Sequence, residues 1–328
     1  MKFHYIRYVL LVAALGCSFG SYAQDNTDES VEETKTVVLP PLFKYPVAPE
    51  DLDWTQRSEW LAKNFWNDFN FKQSAVGQQQ LNHAFYTWIL PLRYAKAEVS
   101  MAAVDDLIKK LDKNPTLLLQ FTRAAEYCIY SPESAQMWID DIYLKFLDAV
   151  LRNKKVSKTL KAKYQAQQKV LLASRIGSPM PAFSYTSREG IKTSFAPKGK
   201  LTLVEFGEPF CYDCQMMRIA LNNDDEIKNY ISQGLLDIAF IIPDVDADDV
   251  SWMEETLDYP SNWTVGAAEG LDDILDIRLS PSLFLVDADG TLLLKNAGLG
   301  NLRDALKYYT EKAAFEVPSQ QSAPSSEE

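Results

Sequence analysis

The sequence changes its pattern at residues 176–181, Ile-Gly-Ser-Pro-Met-Pro, and this change constrains the fold more than any other feature. Between residues 50 and 173, glycine occurs only at position 77, and apolar residues recur at the three- and four-residue spacing of helices. Beyond the change, short apolar runs alternate with helical stretches, which indicates a mixed α/β sheet. A chain of 328 residues can bury two such cores. We therefore predict a helical domain at 49–174 and an α/β domain at 175–314.

Four apolar stripes predict a bundle of four to six helices in the first domain. Breaks between the helices are expected at Gly77, Pro91, Pro115 and Pro132. The stripes consist of Leu61, Phe65 and Phe69; Leu81, Phe85 and Ile89; Leu117, Phe121, Ala124 and Cys128; and Ile139, Ile142, Phe146 and Val150. Cys128 is therefore expected to be a small buried apolar residue.

The second domain is predicted to be a small sheet that ends in an antiparallel pair. Asp289-Gly290 between two apolar runs is a strong hairpin signal. Strands are expected at 201–207, 236–242, 282–287 and 291–295, and helices near 212–221, 225–233, 267–276 and 302–313.

The N-terminus predicts export. Residues 1–23 combine a basic start, a short apolar stretch and a Ser-Tyr-Ala cleavage site, as a secretory signal peptide does. A second interpretation is cleavage before Cys17 and lipid anchoring there, although Ala14-Leu15-Gly16 fits a lipobox loosely. In both cases the protein would work in the periplasm or cell envelope, where disulfides persist. An acidic, proline-punctuated linker is predicted at 24–48.

The charge of the chain argues against nucleic-acid partners. The formal charge is −12 and becomes −14 when the signal peptide, which contains Lys2 and Arg7 and no acid, is removed. Such a surface repels nucleic acid, and no phosphate-binding glycine motif is present. The sequence therefore predicts no nucleic-acid partner and no cofactor. Residues 315–328 are rich in Ser, Pro and Glu and predict a disordered tail.

Cys211-Tyr212-Asp213-Cys214 lies where a predicted buried strand gives way to a predicted helix. Two cysteines at this spacing can close a small disulfide ring without unfolding the chain. The first thiol would lie at the helix N-terminus, where free N–H groups and the helix dipole favour a thiolate. This pattern is that of thiol–disulfide exchange. An inert structural disulfide stays open as an alternative. A zinc site is disfavoured, because the mature chain offers only Cys128 and His83 as further ligands.

Residues 204–214, Val-Glu-Phe-Gly-Glu-Pro-Phe-Cys-Tyr-Asp-Cys, resemble the thioredoxin active-site segment. There, an acid precedes the first cysteine by six residues on a buried strand, and an aromatic residue stands directly before that cysteine. Residues 280–290 resemble the cis-proline loop, strand and hairpin of the exported branch of the thioredoxin family. The preceding helices, with Tyr127-Cys128-Ile129-Tyr130-Ser131-Pro132, resemble a helical domain of unknown function found in bacterial envelope proteins. The resemblance implies a thioredoxin-like α/β fold, with a mixed central sheet flanked by helices, after an all-α domain.

The resemblance also implies a role for each residue of the site. Cys211 would be the attacking thiolate, and Cys214, more buried, would resolve the mixed disulfide. Pro281 would be a cis proline beside the cysteines, leaving the backbone of Ser280 free to pair with an extended substrate. Glu205 would be a buried acid of raised pKa that moves the proton of Cys214. Phe210 and Tyr212, which flank Cys211, are expected to contact the substrate.

Two of these assignments have simpler alternatives. Glu205 could face solvent near the end of its strand, and Pro281 could be an ordinary trans loop proline. Two residues depart from the pattern of exported cytochrome-maturation reductases. Met217 stands where those proteins usually have a glutamate, and Asp213 places a negative charge beside Cys211. Because that charge should raise the pKa of Cys211 relative to a neutral dipeptide, we expect a reductant or isomerase, not a strong oxidant.

The sequence thus predicts an exported thiol–disulfide oxidoreductase that acts on proteins through the Cys211–Cys214 disulfide. Its partners would be cysteine-containing envelope proteins and an electron donor, with a membrane-bound donor as one candidate. The alternative is an envelope binding or scaffold protein. In that case the helical domain would recognise the partner and the thioredoxin fold would serve as a platform.

Overall fold

The computed structural model describes residues 40–197, 199–245 and 249–316. The predicted signal peptide, Cys17, most of the linker and nearly all of the tail lie outside these residues. The first part of the described chain, the helical region, contains six α-helices, at the upper end of the predicted number. They are α1 (Trp54–Asn64), α2 (Gln78–Tyr94), α3 (Ala97–Leu111), α4 (Pro115–Ile129), α5 (Asp140–Arg152) and α6 (Lys158–Ala173), with a 3-10 helix, Pro132–Met137, before α5.

Side-chain caps determine where several of these helices begin. Asp53 and Gln56 form a capping box at the start of α1, in which each side chain bonds the backbone N–H of the other residue. The Asn114 side chain accepts from Leu117 N–H, and Pro115 opens α4, where a missing N–H costs nothing. The predicted break at Pro91 is wrong, because α2 continues through it to Tyr94. Leu92, the residue after the proline, is only 4% exposed, so the helix still packs against the core at this point.

The core of the helical region is built around large aromatic side chains. Trp88, Phe85, Phe121 and Phe146 are fully buried, and Cys128 is 3% exposed, as predicted. Its thiol has a pKa raised to about 12 by burial, so it is inert near neutral pH. The predicted linker ends earlier than residue 48. Phe43 packs edge-on against Phe65, at 5.6 Å between ring centroids, because the apolar side chains of this proline-punctuated stretch bury surface against the helical core.

A seven-stranded mixed sheet forms the second part, the sheet region, with the strand order β2-β1-β5-β4-β3-β6-β7. The strands are β1 (Ser184–Ser187), β2 (Lys192–Ser194), β3 (Leu201–Phe206), β4 (Leu236–Pro243), β5 (Thr264–Ala268), β6 (Ser282–Val286) and β7 (Leu292–Lys295). The helices are α7 (Tyr212–Asn223), α8 (Asp225–Ser232), α9 (Ser251–Glu255) and α10 (Leu299–Glu316). The central strands β3, β4 and β5 are parallel, and β6 and β7 are antiparallel additions at one side.

Both faces of the sheet are covered, which explains why its central strands are mostly apolar. One face, with Leu203 and Phe240, packs against apolar residues of α7, α8 and α10, such as Leu221 and Leu306. The other face, with Val204 and Phe284, packs against Phe183 and the segment that follows β5. Since neighbouring strand residues point to opposite faces, Glu205 shares the helix-covered face with Leu203.

The predicted helix near 267–276 is wrong. The chain instead forms β5 and then an irregular segment, in which Leu271 and Leu275 cover the sheet at a spacing that imitates a helix. The short strands β1 and β2 were not predicted, because their residues are mostly polar and show no apolar alternation. The last helix, α10, is longer than expected and extends into the predicted tail. Across the described ranges, no helix is both long and apolar enough to cross a membrane.

Candidate active site

The two cysteines of the Cys-x-x-Cys motif lie at the start of α7, just beyond the C-terminal end of β3. Cys211 is the N-cap residue, and its sulfur accepts a hydrogen bond from the backbone N–H of Cys214 at 3.4 Å. Cys211 is partly exposed, whereas Cys214 is fully buried, and both are free thiols in this structure. Of the two sulfurs, that of Cys211 is therefore the one that a macromolecular substrate can reach.

The environment lowers the pKa of the Cys211 thiol and raises the pKa of the Cys214 thiol. Partial burial opposes ionisation of Cys211, but hydrogen bonds from the Cys214 side chain and backbone and from Ser280 outweigh it and lower its pKa. Burial, together with the Cys211 side chain, raises the pKa of Cys214. The arrangement thus favours a Cys211 thiolate beside a Cys214 thiol, the protonation states that suit a nucleophile and its resolving partner.

A loop before β6 brings Ser280 and Pro281 against both sulfurs. The Ser280–Pro281 peptide bond is cis. The Ser280 hydroxyl lies 3.2 Å from Cys214 Sγ, and the Ser280 carbonyl oxygen lies 3.8 Å from Cys211 Sγ. The sequence assigned only the Ser280 backbone to the site, yet its side chain also contacts the Cys214 thiol. That contact depends on tertiary structure, because 66 residues separate Cys214 from Ser280.

Glu205 lies on β3 and points into the helix-covered face of the sheet. It is 0% exposed, which removes the alternative of a solvent-facing acid. Neither carboxylate oxygen has a hydrogen-bond partner among the described residues. Burial raises the pKa of Glu205 to about 8, with the negative charge of Cys211 adding to the shift and Arg218 opposing it. A carboxyl group with this pKa can accept and return a proton near neutral pH.

Arg218 and Tyr259 belong to the same buried environment and were missed by the sequence analysis. The Arg218 guanidinium stacks on the Tyr259 ring, 4.7 Å from its centroid, and pairs with the Asp258 carboxylate at 2.7 Å. Burial and the charge of Glu205 raise the pKa of Tyr259. In the sequence, the position of Arg218 one helical turn after Cys214 could have indicated that it lies near the site. Nothing local in the sequence links Tyr259 to the site.

Gly207 provides space for the buried cysteine. A Cβ atom at this position would lie 2.7 Å from Cys214 Sγ and 3.4 Å from the Phe240 ring. A side chain here would have to displace either the Cys214 thiol or a fully buried ring, so the glycine is a steric requirement of the site.

Two large, exposed aromatic side chains flank Cys211. Phe210 and Tyr212, the residues on either side of it, are 74% and 73% exposed. They are thus available to a bound polypeptide, although the structure contains none. The part of the chain that the structure describes contains no group of three or more His, Cys, Asp or Glu residues able to hold a metal ion.

The chain has a thioredoxin-like fold preceded by a helical domain of unknown function. Residues 16–174 match the family described as Domain of unknown function (DUF5106). A thioredoxin-like protein from Bacteroides caccae is 21% identical, and its crystal structure covers 83% of this chain and 100% of its own with a TM-score of 0.70. This likeness, which spans both regions, establishes the fold.

Two smaller solved structures resemble part of the chain. The C-terminal domain of an uncharacterised protein from Bacteroides fragilis is 28% identical and covers 41% of this chain and 98% of its own, with a TM-score of 0.38. The thioredoxin domain of a thiol-disulfide oxidoreductase from Bacteroides vulgatus is 22% identical and covers 42% of this chain and 97% of its own, with a TM-score of 0.34. No curated protein matches the chain in sequence.

Proposed function

We propose that this protein is a thiol–disulfide oxidoreductase that reduces or rearranges disulfides in other proteins through Cys211 and Cys214. The observation that carries the proposal is the pair of adjacent thiols at the start of α7, of which Cys211 is partly exposed with a lowered pKa and Cys214 is buried with a raised pKa. A structural disulfide would need neither this separation of pKa values nor a buried acid beside the pair. Phe210 and Tyr212 supply an apolar surface for the substrate chain.

The reaction proceeds in two exchanges. The Cys211 thiolate attacks one sulfur of a substrate disulfide, so that a Cys211–substrate bond forms and the other substrate sulfur leaves as a thiolate. Cys214 then loses its proton and attacks the Cys211 sulfur. The Cys211–Cys214 bond forms, and the first substrate sulfur leaves as a thiolate. Two electrons have passed to the substrate, and an external dithiol donor restores the reduced pair.

Glu205 is the proton acceptor in the second exchange. Since Cys214 is buried and its pKa is raised, the thiol needs a nearby base to become a nucleophile. Glu205 is buried on the same side of the sheet as α7 and ionises in the range where the enzyme would operate. Its proton can later return to a departing thiolate.

We also propose that the reaction takes place outside the cytoplasm, on cysteine-containing envelope proteins. The signal-like residues 1–23 support export, and an oxidising compartment is where a protein-disulfide reductant or isomerase has clients. The electron donor would be a dithiol protein, for which a membrane-bound carrier is one candidate.

The experiment that tests the function is trapping of the mixed disulfide. Cys214→Ser should accumulate covalent complexes with client proteins, because Cys211 can attack but nothing resolves the product. Cys211→Ser should trap far fewer, and the purified wild type should catalyse reduction of insulin by dithiothreitol. Equal trapping by the two variants would contradict the roles assigned to the cysteines. If the double serine variant preserved the cellular phenotype, the scaffold function would be favoured instead.

The direction of electron flow depends in part on Asp213. Its exposed carboxylate lies in the first turn of α7, beside Cys211. Asp213→Asn should make the pair more oxidising by about 1.4- to fivefold in its equilibrium with glutathione, because removing an exposed charge is worth about 0.2–1 kcal/mol. Asp225→Asn, which removes an exposed carboxylate beyond the far end of α7, is the control and should leave this equilibrium unchanged. A wild-type potential as high as about −120 mV, that of a strong oxidant, would refute the proposed reductant or isomerase role.

A further inference from the structure

Arg278 connects the loop that carries Ser280 to the helical region. Arg278 stands two residues before Ser280, and its guanidinium lies between two rings of the helical region. The distances are 3.9 Å to the Tyr130 ring centroid and 3.8 Å to that of Trp138. Arg278 Nη1 donates to the Tyr130 carbonyl oxygen at 2.8 Å, and Nη2 to Asp140 Oδ1 at 2.8 Å. One side chain of the sheet region is thus held by three residues of the helical region.

The charges around Arg278 balance within a buried cluster. Asp276 accepts from Arg278 and Lys295, and Asp140 accepts from the same two cations, all at 2.6–2.9 Å. The Arg278, Lys295 and Asp276 side chains are 10%, 9% and 1% exposed. Asp276 is buried and Asp140 is partly exposed, and these two acids hold Arg278 and Lys295 in one geometry. Loss of any member would leave an unpaired charge in this largely buried cluster.

A second contact ties the same segment to the helical region. The backbone N–H of Asp276 donates to the hydroxyl of Ser174 at 2.8 Å, and both residues are buried. Residues 276–281, the redox loop, therefore begin at two anchors supplied by the helical region. Near its other end the redox loop contains Ser280, whose carbonyl oxygen contacts Cys211 Sγ and whose hydroxyl contacts Cys214 Sγ.

We propose that the helical region acts as a positioning element for the redox loop: Tyr130, Trp138 and Asp140 hold Arg278 so that Ser280 stays against Cys211 and Cys214. Arg278 is a positioning residue, because it touches neither sulfur. This inference deepens the proposed function and rests on it, since it takes the cysteine pair as the redox centre. It gives the helical region a role in the chemistry of the site besides any role in recognition.

The contacts of Arg278 with Tyr130, Trp138 and Asp140 form a clamp, and loosening this clamp should change the redox equilibrium in a predictable direction. In the reduced state the Ser280 hydroxyl makes a hydrogen bond in the site, 3.2 Å from Cys214 Sγ, and hydrogen bonding by Ser280 contributes to the lowered pKa of Cys211. If the loop moves away, the reduced form loses that hydrogen bond while the disulfide, which carries no charge, loses less. The pair should then shift toward the disulfide, and Cys211 should react more slowly at acidic pH.

Asp140→Asn in the full chain tests the inference, with Asp141→Asn as its matched control. Asp141 is the next residue of α5, but it pairs with Arg175 and not with the redox loop. Asp140→Asn should shift the equilibrium with glutathione about tenfold toward the disulfide, a potential about 30 mV more negative. It should also slow iodoacetamide alkylation of Cys211 at pH 6 several-fold. Asp141→Asn should stay within about twofold of the wild type in both measurements.

Trp138→Leu provides a second variant, because it removes a ring from the clamp without unbalancing the charges. It should shift both measurements in the same direction as Asp140→Asn, whereas Asp140→Glu, which keeps the charge, should retain most of the wild-type behaviour. Folding of each variant is checked by its near-ultraviolet circular dichroism. The inference would be overturned if Asp140→Asn and Trp138→Leu both folded and kept the wild-type equilibrium with glutathione and the wild-type rate of Cys211 alkylation. A wild type that does not exchange with glutathione disulfide would instead refute the proposed function, and alkylation of Cys211 would still report on the clamp.

Discussion

Replacing Glu205 with glutamine should slow resolution of the mixed disulfide by about 10²-fold at pH 8, the lower end of what general acid–base catalysis contributes. Glutamine keeps the shape of the side chain but cannot accept the Cys214 proton. In the wild type the rate should rise as Glu205 ionises. Its apparent pKa should be raised by burial but lie below the value of about 8 in the reduced protein, because the mixed disulfide lacks the Cys211 charge that adds to the shift. In Glu205→Gln this rise should disappear.

The measurement is a single-turnover experiment. The protein is first converted to the Cys211–glutathione mixed disulfide, and release of glutathione is then followed by quenching and mass spectrometry between pH 6 and 9. Glu208→Gln is the matched control, because Glu208 is exposed and lies close to the same cysteines in the chain. Its rates should follow those of the wild type. An unchanged pH profile in Glu205→Gln would exclude Glu205 as the proton acceptor.

The same substitution should also stabilise the reduced protein at alkaline pH. In the folded protein the pKa of Glu205 lies above the ordinary 4.5, so the native state holds the proton more tightly than the unfolded chain. The wild type therefore loses stability as the pH rises from about 4.5 through about 8. At about 1.4 kcal/mol per unit of pKa shift, the accumulated cost is on the order of 3–5 kcal/mol. Glu205→Gln removes this cost.

Urea unfolding of the reduced proteins at several pH values measures this effect. The difference in free energy of unfolding between Glu205→Gln and wild type should grow by a few kcal/mol from pH 5 to pH 8. Glu208→Gln should show no such growth, because its carboxyl group is exposed. A constant difference across this range would mean that Glu205 is already ionised in the folded protein at pH 5, in contact with Arg218.

The parts of the fold with strong local periodicity could be predicted from sequence. The helical stripes follow from burial of one helix face, which leaves a period of about 3.6 in the chain. The apolar runs of β3, β4, β6 and β7 follow from a sheet that is covered on both faces. The segment after β5 was mistaken for a helix because Leu271 and Leu275 are four residues apart. They cover the sheet from an irregular segment, so their spacing reflects the surface beneath them and not a helical backbone.

The site was only partly predictable for a related reason. Cys211, Cys214 and Glu205 lie within ten residues of one another, so a strand and the helix that follows it suffice to bring them together. Tyr259 comes from a distant loop, and its place beside Arg218 depends on how that loop packs over α7. The Ser280 hydroxyl likewise reaches Cys214 only after β3 and β6 have paired.

By itself, the sequence determined the two-part organisation of the chain and the position of the cysteine pair between a strand and a helix. These are short-range properties, encoded in apolar spacing, capping residues and glycine content. Only the tertiary structure decided that Glu205 is buried and that Arg278 is held by Tyr130 and Asp140, from which it is separated by 148 and 138 residues. The energies of desolvation and of buried ion pairs depend on which distant groups surround a charge, and local sequence patterns do not record that information.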